Sequence, residues 1–159
     1  MKLRENEKRV GQIRFSGNDI ALAASMLEKT STTLDIVYYL MGRGDERAFV
    51  IMMLSVNDAD IMDMLEKEKR DTDILFEIDK KEGVYTIICQ DTKVDGGYRF
   101  AERIMKKLKE KNIKDIYLNV LEVQTTRYEI KYIIFKLIEA HIKSQIERKE
   151  QEIIYGTIR

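Results

Sequence analysis

RDTDILFEIDKKEGVYTIIC, residues 70–89, reads as two strands joined by a tight turn. Ile74, Phe76 and Ile78 alternate and so share one face, DKKEG supplies the turn, and VYTIIC returns as a second apolar strand. Upstream, AFVIMMLSV (48–56) is a continuous apolar run of strand length, and Ile116 to Val123 forms a fourth strand. Helical periods fill the intervals. From Asn18, the residues Ile20, Ala24, Leu27, Leu34, Tyr38 and Met41 recur at helical spacing, with Ser16 or Asn18 as cap and Gly42 as stop. The stretch from Thr30 to Thr33 is where this helix could divide in two. Ser55 to Asp58 introduces a helix carrying Ile61, Met64 and Leu65, and Asp95, Gly96 and Gly97 open another with the stripe Phe100, Ile104 and Leu108. Tyr128 to about Glu150 makes a long terminal helix. This order predicts an α+β domain with one mostly antiparallel sheet covered by helices. Residues 1–17 are read as a charged helix or linker, 18–150 as the domain and 151–159 as a C-terminal tail.

The 159 residues suit a single domain. Apolar residues at 44% and charged ones at 35% exclude simple disorder, and the sequence has no long uncharged apolar run of the kind that spans a membrane. Twenty-eight basic residues balance twenty-eight acidic ones, so no whole-surface attraction to DNA, RNA or anionic lipid is expected; an anion must be held by a local cluster. A single cysteine and the charged opening MKLRENEKRV fit a cytoplasmic domain without disulfides.

Catalytic constellations are scarce. The one histidine, His141, falls near the apolar face of the last helix and reads as a structural residue. Cys89 follows Ile87 and Ile88 in a strand and reads as a buried, inert thiol. No histidine–cysteine pair, clustered metal spacing or Walker loop is present. Asp95, Gly96 and Gly97 offer helix-start amides to a phosphate, but a plain helix entry accounts for them as well.

The arginines carry more chemistry. Arg70 and Asp73 bracket a short turn at a strand entry, so their side chains can project together, and Arg99 and Arg103 lie four apart on one helix face. Forked guanidiniums grip phosphate or the guanine O6 and N7 edge, while a carboxylate accepts from guanine N1 and N2. The same spacing also describes a solvated helix face with surface ion pairs such as Glu102 with Lys106.

At these residues the sequence resembles a GGDEF domain, the diguanylate cyclase fold, from about residue 31 to 145. That family's product-binding site is an R-x-x-D motif five residues before its signature hairpin. Here Arg70-Asp71-Thr72-Asp73 is followed by ILFEI and then the turn, and R-F-A-E-R-I in the next helix puts Arg99 and Arg103 in the roles of the family's helical arginines. The catalytic half departs from the pattern. Active members hold metal ions with an aspartate ending the first strand and an acidic residue in the signature turn. This chain has Ser55, with Asn57 after it, and DKKEGVY. Serine cannot replace an anionic ligand to a hard cation, and Lys80 and Lys81 bring positive charge where Mg²⁺ would sit.

A degenerate turn beside an intact R-x-x-D motif is similar to the PelD-like receptors of cyclic di-GMP. The resemblance implies no cyclase activity, no catalytic residue and no metal or other cofactor, with cyclic di-GMP as ligand at Arg70, Asp73, Arg99 and Arg103. It also implies a protein partner, of which an exopolysaccharide (Pel-like) secretion complex is one, and a cytoplasmic location that such a partner would bring to the inner membrane. The competing expectation is a protein-interaction module that has lost nucleotide binding and docks through its charged helical ends.

Overall fold

In the computed structural model, which describes residues 13–44, 47–57 and 60–159, nine elements follow in the order α1 (Gly17–Gly42), β1 (Phe49–Val56), α2 (Met62–Glu68), β2 (Asp73–Asp79), β3 (Val84–Cys89), α3 (Val94–Glu110), β4 (Ile116–Val123), α4 (Ile130–Ile146) and β5 (Ile153–Ile158). The strands form one sheet in the order β2-β3-β1-β4-β5. β1 pairs antiparallel with both β3 and β4, and β2 with β3; β5 runs parallel to β4. The α+β reading with a mostly antiparallel sheet therefore holds.

β1 is central and buried on both faces, which explains its unbroken apolar run. Its alternate residues divide between two cores. Val50, Met52, Leu54 and Val56 meet Phe100, Ile104 and Leu108 of α3 and Leu65 of α2. Phe49, Ile51 and Met53 meet Met26, Leu34 and Val37 of α1 and Ile134, Leu137 and Ile138 of α4. Gly97 lets α3 approach β1 closely, since a Cβ there would lie 2.9 Å from Val50 Cγ2. At the hairpin turn, Gly83 takes φ +67°, and an added Cβ would sit 1.9 Å from the Val56 carbonyl oxygen, so only glycine fits. Val56 N–H donates to Gly83 O at 2.9 Å, which ties the turn to the end of β1.

Three readings change. The Thr30 to Thr33 stretch does not divide α1: Thr30 Oγ1 donates to Met26 O at 2.7 Å and Ser31 Oγ to Leu27 O, so the hydroxyls are satisfied within the helix. The buried stripe of α1 is Ala23, Met26, Thr30, Leu34 and Val37, offset from the predicted one, and Ile20 is 59% exposed. Residues 151–159 are not a tail. α4 stops at Ile146, Arg148 and Gln151 adopt positive φ of 52° and 63°, and IIYGTI adds β5 to the sheet. The expectation for the N-terminal segment falls mostly on residues 1–12, outside the described residues; among 13–17, Ser16 caps α1 through a reciprocal pair with Asp19.

His141 lies at the α4–sheet boundary, edge-on to Tyr117 with ring centroids 6.1 Å apart, and its Nδ1 has no hydrogen-bond partner. Burial lowers its pKa from 6.5 to about 4, against a weaker opposing pull from Asp19. The folded state therefore resists a proton that the unfolded chain accepts. Stability is at its full value above pH 6.5 and falls as pH drops through the window from 6.5 to 4. Denaturant titrations should show a loss of about 2 kcal/mol between neutral pH and about pH 5 from this group. His141→Gln should flatten that part of the profile; an unchanged slope would contradict the assignment.

Candidate functional site

The turn from Arg70 to Asp73 is closed by Asp73 N–H donating to Arg70 O at 3.0 Å. Asp73 opens β2 opposite Cys89 of β3, and its side chain is 1% exposed. Its carboxylate accepts from Arg70 N–H at 2.8 Å, from Arg70 Nε at 3.2 Å and from Arg70 Nη2 at 2.9 Å. Arg70 Nη2 also reaches Thr92 Oγ1 at 2.6 Å and Gln90 O at 3.1 Å. Gln90 in turn donates through Nε2 to Thr72 O at 2.7 Å, closing the turn against the end of β3. The guanidinium is thus held along its Nε and Nη2 edge, while the side chain remains 52% exposed. The Asp73 hydrogen bond raises the pKa of Arg70 above its already high value, so the charge is permanent.

This geometry alters one assignment. Asp73 was expected to accept from a ligand; instead it is buried behind Arg70 and sets that side chain's position. The loop feature that makes this possible, Thr92 and the Gln90 carbonyl, carries no motif and was missed in the sequence.

Arg103 is exposed on α3, with its guanidinium carbon 5.2 Å from the centroid of the Phe100 ring. Its side of the helix faces the Arg70 turn: Lys107, one turn further on, pairs at 3.5 Å with Glu68, two residues before Arg70. Burial and Asp73 push the Cys89 thiol pKa well up, while Arg70 and Arg103 both pull it down. Arg99 is placed differently. It lines a shallow cavity of about 430 Å³ with Asp95, Tyr98 and Tyr155, toward β5. The start of α3 is taken by the chain itself, because Val94 N–H donates to Glu122 at 2.8 Å; the plain helix entry is the better account of Asp95 to Gly97.

The signature turn lies at the other end of the hairpin. Asp79 Oδ1 accepts from Glu82 N–H at 3.0 Å, and Asn57 Nδ2 donates to Asp115 at 3.5 Å. Ser55, across the sheet from Val84 and Tyr117, contributes only a neutral hydroxyl. Among the described residues no three His, Cys, Asp or Glu side chains gather closely enough to hold a metal ion. The residues present do not fit the metal centre of an active member of the resembled family.

No family model and no curated protein matches the chain. Solved structures do. The diguanylate cyclase SiaD from Pseudomonas aeruginosa, in complex with its activator SiaC, is similar over 79% of this chain and 57% of its own, with a TM-score of 0.57 at 11% identity. The chain thus spans little more than half of that protein's length. A microbial GGDEF domain solved in a novel mode of interaction with cyclic di-GMP is similar over 77% of this chain and 86% of its own, with a TM-score of 0.60 at 8% identity. The fold is GGDEF-like, of the nucleotide-cyclase type. No helix among the described residues is long and apolar enough to cross a membrane.

Because Asp73 is buried and Arg70 half exposed, their pairing should be worth more than a surface ion pair. A double-mutant cycle with Arg70→Ala and Asp73→Ala, followed by denaturant unfolding, should give a coupling energy of about 1–3 kcal/mol. A value below about 0.3 kcal/mol would return the pair to the class of solvated surface bridges.

Proposed function

We propose that this chain is a non-enzymatic receptor domain for cyclic di-GMP, read at the Arg70 turn and the facing side of α3. The observation that carries the reading is the clamped guanidinium: Asp73, Thr92 and the Gln90 carbonyl hold one edge of Arg70 and leave the rest toward solvent. A pre-positioned fork loses little conformational freedom when it grips a phosphate or the O6 and N7 edge of guanine. Arg103, resting on Phe100, adds a second charge and a planar surface for a base. The neighbour solved with cyclic di-GMP supports the ligand class.

Loss of catalysis follows from the other end of the hairpin. Ser55 is uncharged, Lys80 and Lys81 separate the carboxylates of Asp79 and Glu82, and among the described residues no three metal-ligating side chains gather for the cations that phosphoryl transfer requires. Binding would be read by a protein partner, as the complex of SiaD with its activator illustrates for a similar fold. Exopolysaccharide export is the pathway implied by the PelD resemblance. A docking module without nucleotide binding is the second reading, favoured by Ile36 and Tyr39 exposed on α1.

Calorimetry with cyclic di-GMP should give saturable micromolar binding. Arg70→Ala, Asp73→Ala and Arg103→Ala should each weaken it by at least about tenfold, Asp73→Ala by releasing Arg70, whereas Arg99→Ala should have a smaller effect. Incubation with GTP and Mg²⁺ should yield no cyclic product. Absence of binding, or full affinity in Arg70→Ala, would reject the site and favour the docking module.

A further inference from the structure

The sheet ends at β5, and that end is open. Among the described residues β5 pairs with β4 alone, so its outer N–H and C=O groups meet no strand. Six residues at about 3.3 Å each make an edge of about 20 Å. Edge strands are ordinarily guarded by charge, by proline or by a covering element. IIYGTI has no charge and no proline. The opposite edge is guarded: β2 carries Asp73, Glu77 and Asp79, and Lys29 Nζ from α1 donates to Glu77 O at 2.9 Å and to Ile78 O at 3.2 Å.

The surroundings of β5 define what would fit there. Ile153 and Tyr155 turn to the α3 face, where Tyr155 meets the Tyr98 ring edge-on with centroids 5.4 Å apart and, with Arg99, borders the shallow cavity of about 430 Å³. Gly156 and Ile158 turn to the α4 face. A cavity of about 860 Å³ opens there between β5 and the exposed side of α4. Four cations line it, Arg14, Lys136, Lys143 and Arg159, against one carboxylate, Glu139, which lies 3.4 Å from Lys136. Gly156 keeps this side low, since a glycine inside a strand leaves no side chain in the way of an approaching backbone.

We infer that the β5 edge takes up an extended acidic segment of a partner protein, which adds a further strand to the sheet and sets carboxylates at alternate positions against Arg14, Lys136 and Lys143. The intervening side chains of that strand lie on the α3 face, against the aromatic surface of Tyr98 and Tyr155. Charge selects the occupant. A second copy of this chain, pairing antiparallel through β5, would bring the same four cations toward one another across the two-fold axis. The inference stands apart from the cyclic di-GMP reading, since Arg70 precedes β2 at the other edge of the sheet.

The test uses the full chain and a fluorescently labelled octapeptide of alternating glutamate and valine, titrated by anisotropy at about 150 mM salt, where diffuse charge attraction is screened. Binding should be saturable and should shift the backbone amide signals from Ile153 to Ile158. The double variant Lys136→Gln, Lys143→Gln alters two exposed side chains; with unaltered thermal unfolding, it should weaken binding by at least about tenfold. Arg70→Ala should leave binding unchanged. The same peptide methylated at every backbone nitrogen keeps its charge but cannot pair with a strand, and should not bind. No saturable binding by the folded wild type, equal affinity in the double variant or for the methylated peptide, tighter binding of a single-stranded oligonucleotide, or a wild-type dimer that protects the β5 amides would overturn the inference.

Discussion

A carboxylate at the first position of a strand, buried and gripped by one arginine side chain, organises this end of the molecule. Asp73 opens β2 in register with Cys89, and its side chain is 1% exposed beneath Arg70. Its buried charge is compensated by the Arg70 guanidinium and backbone N–H against it. The same pairing fixes Arg70 over the end of β3, where Thr92 and the Gln90 carbonyl complete the clamp. The contacts that make the buried charge tolerable are thus the same ones that hold the guanidinium in place.

The hairpin separates two chemistries. At about 3.3 Å per residue, β2 holds the Arg70 turn about 20 Å from the DKKEG turn. One end carries the Arg70 turn and rests on α3; the other carries the DKKEG turn, where Lys80 and Lys81 stand between Asp79 and Glu82, and opens toward α1 and α4. A substitution at Ser55 or in the turn leaves the arginine clamp intact, since Val56 and Gly83 hold the turn to β1 without involving β3's far end. The arginine clamp and the hairpin turn are therefore held by separate contacts.

Much of this was legible in the sequence where a local pattern governs structure. The alternation in β2, the unbroken run of β1 and the stripe Phe100, Ile104 and Leu108 each reflect one buried surface with one period. Arg70 and Asp73 were found because a turn forces neighbours together. β5 was missed for the opposite reason: the reversal after α4 uses Arg148 and Gln151 at positive φ, where glycine or asparagine would have announced it, and the chain has no proline to mark boundaries. The strand-like run IIYGTI was its one signal. The burial of Asp73 and the turning of Arg99 toward Tyr155 depend on packing between distant elements, which spacing along one helix or turn cannot encode.

The most direct test of the arginine clamp is an NMR titration that follows the arginine Nε–Hε and backbone amide signals as cyclic di-GMP is added. The account predicts saturable shifts at Arg70 Nε–Hε, Arg103 Nε–Hε and the amides of Thr72 and Thr92, with Asn57 and Gly83 unmoved. Shifts confined to Asn57, Gly83 and their neighbours, or none at Arg70, would contradict it.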